Sequence, residues 1–134
     1  MGPKATVIYD ADCGFCRVSL ALLLSWGRQR ALRPLPLGSP EANLLLADLT
    51  EAERDASWHL VLDDGTRFSA GAAVAPALSL LPGGHIPAAL FARFPGATER
   101  TYRRVAAHRG LLGRFVPARA RRWADRVIAR TPYP

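Results

Sequence analysis

Lys4-Ala5-Thr6-Val7-Ile8-Tyr9 runs directly into Asp10-Ala11-Asp12-Cys13-Gly14-Phe15-Cys16, and the reading of this junction decides the fold. The first segment is β-branched and aromatic and gives way at once to polar residues and a glycine, the pattern of a short buried strand. From Gly14 to about Arg28 the pattern changes, because Phe15, Val18, Leu20, Leu22, Leu23, Leu24 and Trp26 put apolar groups on nearly every side. That predicts a helix enclosed by the fold and ended by Gly27 and the arginines after it. The cysteines fall where the strand hands over to the helix.

Working outward, Ala31 to Leu37 (ALRPLPL) predicts a second strand, confined to an edge because Pro34 and Pro36 each remove a ladder donor. Ser39 as cap and Pro40 at the first helical position predict a helix over Ala42 to about Leu46. Thr50-Glu51-Ala52-Glu53 fits a capping box and predicts a helical turn around residues 50–56. Trp58 to Leu62 (WHLVL) predicts a strand, and Asp63-Asp64-Gly65 the tight turn of a β-hairpin that returns through Thr66 to Ser69. Three or four helices are expected after the hairpin, punctuated by Pro82-Gly83-Gly84, Pro95-Gly96, Gly110, Gly113 and Pro117. Residues 117–130 form a basic amphipathic segment, and Thr131 to Pro134 are expected to fray. A helix between the first strands implies parallel pairing by a right-handed crossover, and the hairpin adds antiparallel pairing. The order predicts an α/β, thioredoxin-like fold: a central mixed sheet of about four strands, flanking helices and an extra helical C-terminal region. A single domain is expected over residues 1–134, with the core fold over about 4–92 and a basic helical extension over about 93–130.

Cys13 and Cys16 are the only cysteines among the 134 residues. Two intervening residues place both side chains on one face of a helix's first turn, close enough for a disulfide without backbone movement. Cys13 then lies near the unpaired amides of the helix N-terminus, which favour a thiolate, so Cys13 is the expected nucleophile and Cys16 the resolving thiol. Two rival readings are an inert buried pair and a zinc site. A structural zinc wants four ligands, and only His59, His85 and His108, at scattered positions, could complete the set. No metal and no bound cofactor is expected. Arg17 and the helix terminus favour the thiolate, nearby carboxylates oppose it, and Phe15 is a shield or docking surface. Asp12 stands where a helix N-cap belongs. Trp26, Trp58 and Trp123 are expected to be core anchors.

The segment Tyr9-Asp10-Ala11-Asp12-Cys13-Gly14-Phe15-Cys16 resembles the Asp-x-x-Cys-x-x-Cys signature of the DCC family of predicted thiol-disulfide oxidoreductases. The resemblance continues through Arg33-Pro34-Leu35, the strand that ends in Asp63-Asp64-Gly65, and Tyr102-Arg103-Arg104-Val105-Ala106-Ala107-His108-Arg109, and so spans roughly residues 5–116. It departs at Ala11, where the family commonly has Gly, at Ala70-Gly71 in place of Ser-Asp, and at His108 in place of Asn. A thioredoxin usually sets a cis-proline opposite the dithiol, before its third strand, whereas this chain has Ala56-Ser57-Trp58. The resemblance implies disulfide exchange with a protein or small-thiol partner. It also implies a site of Cys13, Cys16 and Asp10, with Asp10 relaying a proton to or from Cys16 and with Asp12, Gly14, Phe15 and Arg17 in support.

Charge is divided unevenly: residues 1–92 carry 7 Lys/Arg against 9 Asp/Glu, and residues 93–134 carry 11 Arg against 2 acids. Such a surface is either solvated arginine on exposed helices or a docking face for an acidic protein, with nucleic acid or lipid as lesser alternatives. A non-catalytic binding module that uses this face is therefore the second functional reading. Dithiol handling of a metal or metalloid is a third. No apolar run reaches the roughly 18–20 residues that span a bilayer, and no signal-peptide pattern opens the chain, so a cytoplasmic protein is expected. Met1 to Thr6 fits an N-myristoylation pattern only formally, given Pro3.

Overall fold

The computed structural model describes residues 4–27 and 31–131. The chain begins with β1 (Ala5–Tyr9), α1 (Gly14–Trp26) and β2 (Leu32–Pro36), then α2 (Pro40–Leu45), α3 (Glu51–Ala56) and the hairpin of β3 (His59–Leu62) and β4 (Arg67–Ser69). A 3-10 turn at Ala70–Ala73 leads into α4 (Val74–Ser79), α5 (His85–Arg93), α6 (Pro95–Ala107), α7 (Arg109–Arg114) and α8 (Ala118–Arg130). Among the described residues five α-helices follow the hairpin, more than expected, because Pro82-Gly83-Gly84, Phe94-Pro95, His108 and Phe115-Val116-Pro117 each end one helix just before the next begins.

The sheet order is β2-β1-β3-β4, which places the proline-bearing strand at an edge as predicted. β1 runs parallel to β2, with Ala5 opposite Leu32, and antiparallel to β3, with Val7 opposite Leu60. This mixed four-stranded sheet with flanking helices is the predicted thioredoxin-like α/β fold. Gly65 takes a φ of +91° in the hairpin turn, a backbone that glycine adopts without steric cost. Beside the hairpin, Arg67 holds Asp48 by two 2.6 Å hydrogen bonds, and that guanidinium is the main cause that lowers the Asp48 carboxyl to about 2.

Strand alternation divides the core between the two faces of the sheet. Ala5, Val7, Tyr9 and Leu60 face α1, α4 and α8, while Ile8, Leu35 and Val61 face Ala42 and Leu46 at α2. Ser39 caps α2 through the Ala42 amide, and Thr50 and Glu53 form the predicted capping box of α3.

The dithiol helix is less enclosed than its composition suggested. Leu20, Ala21 and Leu24 are buried, but Leu22 is 59 % and Trp26 42 % exposed. Trp26 is not a core anchor: its indole N–H reaches out to the Pro82 carbonyl at 2.7 Å. The basic C-terminal segment is built into the main core, for Ala124 and Val127 of α8 are buried with α1 and Trp123 packs beside them. Thr131 is also buried and donates its hydroxyl to the Val127 carbonyl at 2.9 Å; the rest of the expected frayed tail lies outside the described residues. So do Met1–Pro3 and the arginines predicted to end α1.

Candidate active site

The dithiol is positioned by the turn between β1 and α1. Asp10 Oδ1 accepts the Asp12 N–H at 2.9 Å, and the Asp10 carbonyl accepts the Cys13 N–H at 3.3 Å. This side-chain-closed turn spares Ala11 from positive φ, which among described non-glycine residues only Ala70 adopts. The helix cap is Cys13, not Asp12. Cys13 has extended φ/ψ and its Sγ accepts the Cys16 N–H at 3.2 Å, whereas Asp12 is exposed. With α1 starting at Gly14, as its apolar pattern predicted, the cap position falls on Cys13, while the Asp12 amide is taken by Asp10 in the preceding turn.

Cys13 and Cys16 meet at disulfide distance, with Cα atoms 5.2 Å apart. Arg17 turns away from them: one amino group donates to the Ala11 carbonyl at 2.7 Å, and Nε lies 3.0 Å from Asp125 Oδ1, an ion pair without hydrogen-bond alignment. It ties the turn to α8 rather than facing the sulfurs. Gly14 is covered by α8, since a Cβ there would come within 3.1 Å of Arg121 Cδ.

Cys16, the partner of Cys13, borders a cavity of about 260 Å³ with mostly apolar walls. Phe15, Cys16, Ser19, Leu20 and Leu23 line it from α1, Val7 and Tyr9 from β1, and Ser57 and Trp58 from the approach to β3. Tyr102, Val105, Ala106 and Arg109 close it from the end of α6 and the start of α7. Asp10 and Arg109 lie 4.0 Å apart at this wall, and Arg109 also donates to the Asp55 carbonyl at 3.0 Å. Tyr102 Oη accepts the Trp58 N–H at 3.1 Å, and burial pushes that phenol above its ordinary value of 10. Trp58, expected only as core, is thus a wall residue whose indole N–H is bound by the Ala70 carbonyl at 3.0 Å.

Asp10, Phe15 and Cys16 line the cavity and Cys13 meets Cys16, while the sequence had suggested no site role for Tyr102, Val105, Ala106 and Arg109. Their spacing of three, four and seven residues is the signal that could have marked one helical face.

A family model described as DCC1-like thiol-disulfide oxidoreductase matches residues 7–115. The chain belongs to the DCC1-like thiol-disulfide oxidoreductase family. No curated protein and no solved structure matches it. The DCC1-like match takes in β1 from Val7 onward, the dithiol, the hairpin and the α6 face that closes the cavity, and stops before α8. Among the described residues no group of three or more His, Cys, Asp or Glu side chains gathers as a metal site, and no helix is long and apolar enough to cross a membrane.

Proposed function

We propose that this protein exchanges the Cys13–Cys16 disulfide with an external thiol–disulfide couple. The single observation that carries the reading is the Cys16 amide pointed at Cys13 Sγ at 3.2 Å. In the reduced protein that N–H, at the positive end of a 13-residue helix, favours Cys13 as the thiolate. The Cys13 thiolate attacks one sulfur of the substrate disulfide and expels the other as a thiolate. A mixed disulfide forms at Cys13, and the Cys16 thiolate attacks Cys13 Sγ, expels the second substrate thiolate and closes the protein disulfide. Two electrons leave the protein, and the two protons from its thiols neutralise the released substrate sulfurs. Asp10, on the cavity wall with Cys16, is the proposed acceptor of the Cys16 proton. Gly14 and Phe15 shape the helix start, and Arg17 and Asp12 act on the turn.

The test is a redox titration read by thiol alkylation and mass spectrometry. A reversible two-electron couple within roughly −120 to −300 mV is expected, the span of known dithiol enzymes. Cys16→Ser should accumulate a mixed disulfide at Cys13, and Cys13→Ser should accumulate none. The reading is wrong if the pair stays open, or stays closed, across that range.

A further inference from the structure

Extended peptides dock on a sheet or loop edge through main-chain N–H and C=O groups that are free to pair. Opposite the dithiol, those of Trp58 are already engaged. Its N–H donates to Tyr102 Oη at 3.1 Å, and its carbonyl accepts the Ala70 N–H at 3.3 Å and the Ser57 hydroxyl at 3.1 Å. α6 is fastened over this segment, because Glu99 Oε2 accepts the Gly71 N–H at 2.9 Å and leaves no room for a Cβ at Gly71. The helix turns what would be an open edge into a bounded pocket.

That pocket, about 260 Å³, is slightly below the ~300–1,000 Å³ usual for drug-sized ligands, so it suits one aryl or branched alkyl group. Phe15, Leu20, Leu23, Trp58, Val74 and Val105 make its walls apolar. The two charged residues on its wall, Asp10 and Arg109, face each other at 4.0 Å. Glutathione, with two carboxylates and an ammonium, would have to shed water there for only Asp10 and Arg109, which already face each other, at a cost that an uncharged apolar thiol does not incur.

We propose that this cavity is the substrate site of the exchange reaction and takes the uncharged apolar group of a low-molecular-weight thiol or disulfide. This deepens the exchange reading and rests on it. A thiolate RS⁻ attacks Cys13 Sγ of the protein disulfide, forms the mixed disulfide and releases the Cys16 thiolate, while R rests against Phe15 and Trp58. A second RS⁻ attacks the substrate sulfur of that mixed disulfide, which frees RSSR and the Cys13 thiolate. Two thiols are oxidised, the protein disulfide is reduced, and the two protons end on the protein sulfurs.

The experiment compares benzyl mercaptan with glutathione as reductants of the oxidised protein, each rate expressed per thiolate. Benzyl mercaptan should be at least about tenfold faster, the order of magnitude of burying a phenyl-sized group. Ala106→Trp, which fills the cavity, should bring the ratio near one. Ala107→Trp, at the exposed neighbouring position, should keep it. A ratio near one in the unaltered protein, or a ratio kept in Ala106→Trp, overturns the proposal. If Ala106→Trp does not fold, Ala106→Leu replaces it and must lower the ratio partway; an unchanged ratio again overturns the proposal. Dithiothreitol separates the two readings. If it reduces the pair reversibly while the ratio is flat, only the cavity assignment fails; if it cannot, the exchange reading falls too.

Discussion

Asp10 uses its two carboxylate oxygens for different purposes: Oδ1 closes the turn on the Asp12 amide, and Oδ2 faces Arg109 across 4.0 Å. Asp10→Asn separates them, because an amide oxygen can still accept the Asp12 N–H but cannot take up a proton. We expect that variant to fold normally, to exchange more slowly by about a hundredfold, and to show an altered pH–rate profile. An unchanged profile would reduce Asp10 to a turn residue. At this scale the sequence was half legible. The dithiol stood out by type and spacing and Asp10 only through the resemblance to the family signature, while the preference of Asp for N-caps pointed to Asp12. The helix starts at Gly14, so Cys13 is the cap instead and Asp12 belongs to the turn before it.

Elements with local signals were readable, and those held by distant contacts were not. Ser39-Pro40, Thr50 to Glu53 and Asp63-Asp64-Gly65 announce their caps and turn because the bonding partners lie within three residues. The seating of α6 depends on Tyr102 reaching Trp58 and Glu99 reaching Gly71, pairs far apart in sequence. β3 carries a second such link. His59 is buried, with Nε2 donating to the Arg54 carbonyl of α3 at 3.0 Å and Nδ1 accepting from the Ser69 hydroxyl of β4 at 2.6 Å. That assignment makes the ring neutral, and burial lowers its pKa from 6.5, although the Arg54 carbonyl opposes the shift. A lowered base binds its proton more readily in the unfolded chain. Its stabilisation is therefore complete above pH 6.5 and declines as pH falls from there toward the folded value. We expect urea midpoints to drop between pH 7 and 5 and His59→Gln to flatten that slope; parallel slopes would locate the acid sensitivity elsewhere.

At the scale of the whole molecule, the basic C-terminal segment looked like an extension because its arginines dominate its composition. Its apolar residues do the packing. Ala124 and Val127 are buried against α1, Arg17 pairs with Asp125, and Arg121 lies over Gly14. We propose that residues from β1 to α8 fold as one cooperative unit, although the family match ends at residue 115. A chain ended after Val116 should lose its sharp thermal transition and bind a hydrophobic dye, because Leu20, Ala21 and Leu24 would lose cover. A truncated protein that melts as sharply as the full chain would restore the reading of α8 as an appendage. The amphipathic pattern was legible in the sequence; its docking partner was not, because periodicity says which side is apolar and nothing about what it meets.

The reactive sulfur being its own helix cap ties the charge state of the dithiol to the first turn of α1. A thiolate at Cys13 is a charged acceptor for the Cys16 amide, while a sulfur engaged in a mixed disulfide is a weak one. Reduction of the protein disulfide would thus strengthen the first turn of α1, and either disulfide at Cys13, internal or mixed, would remove that charge assistance.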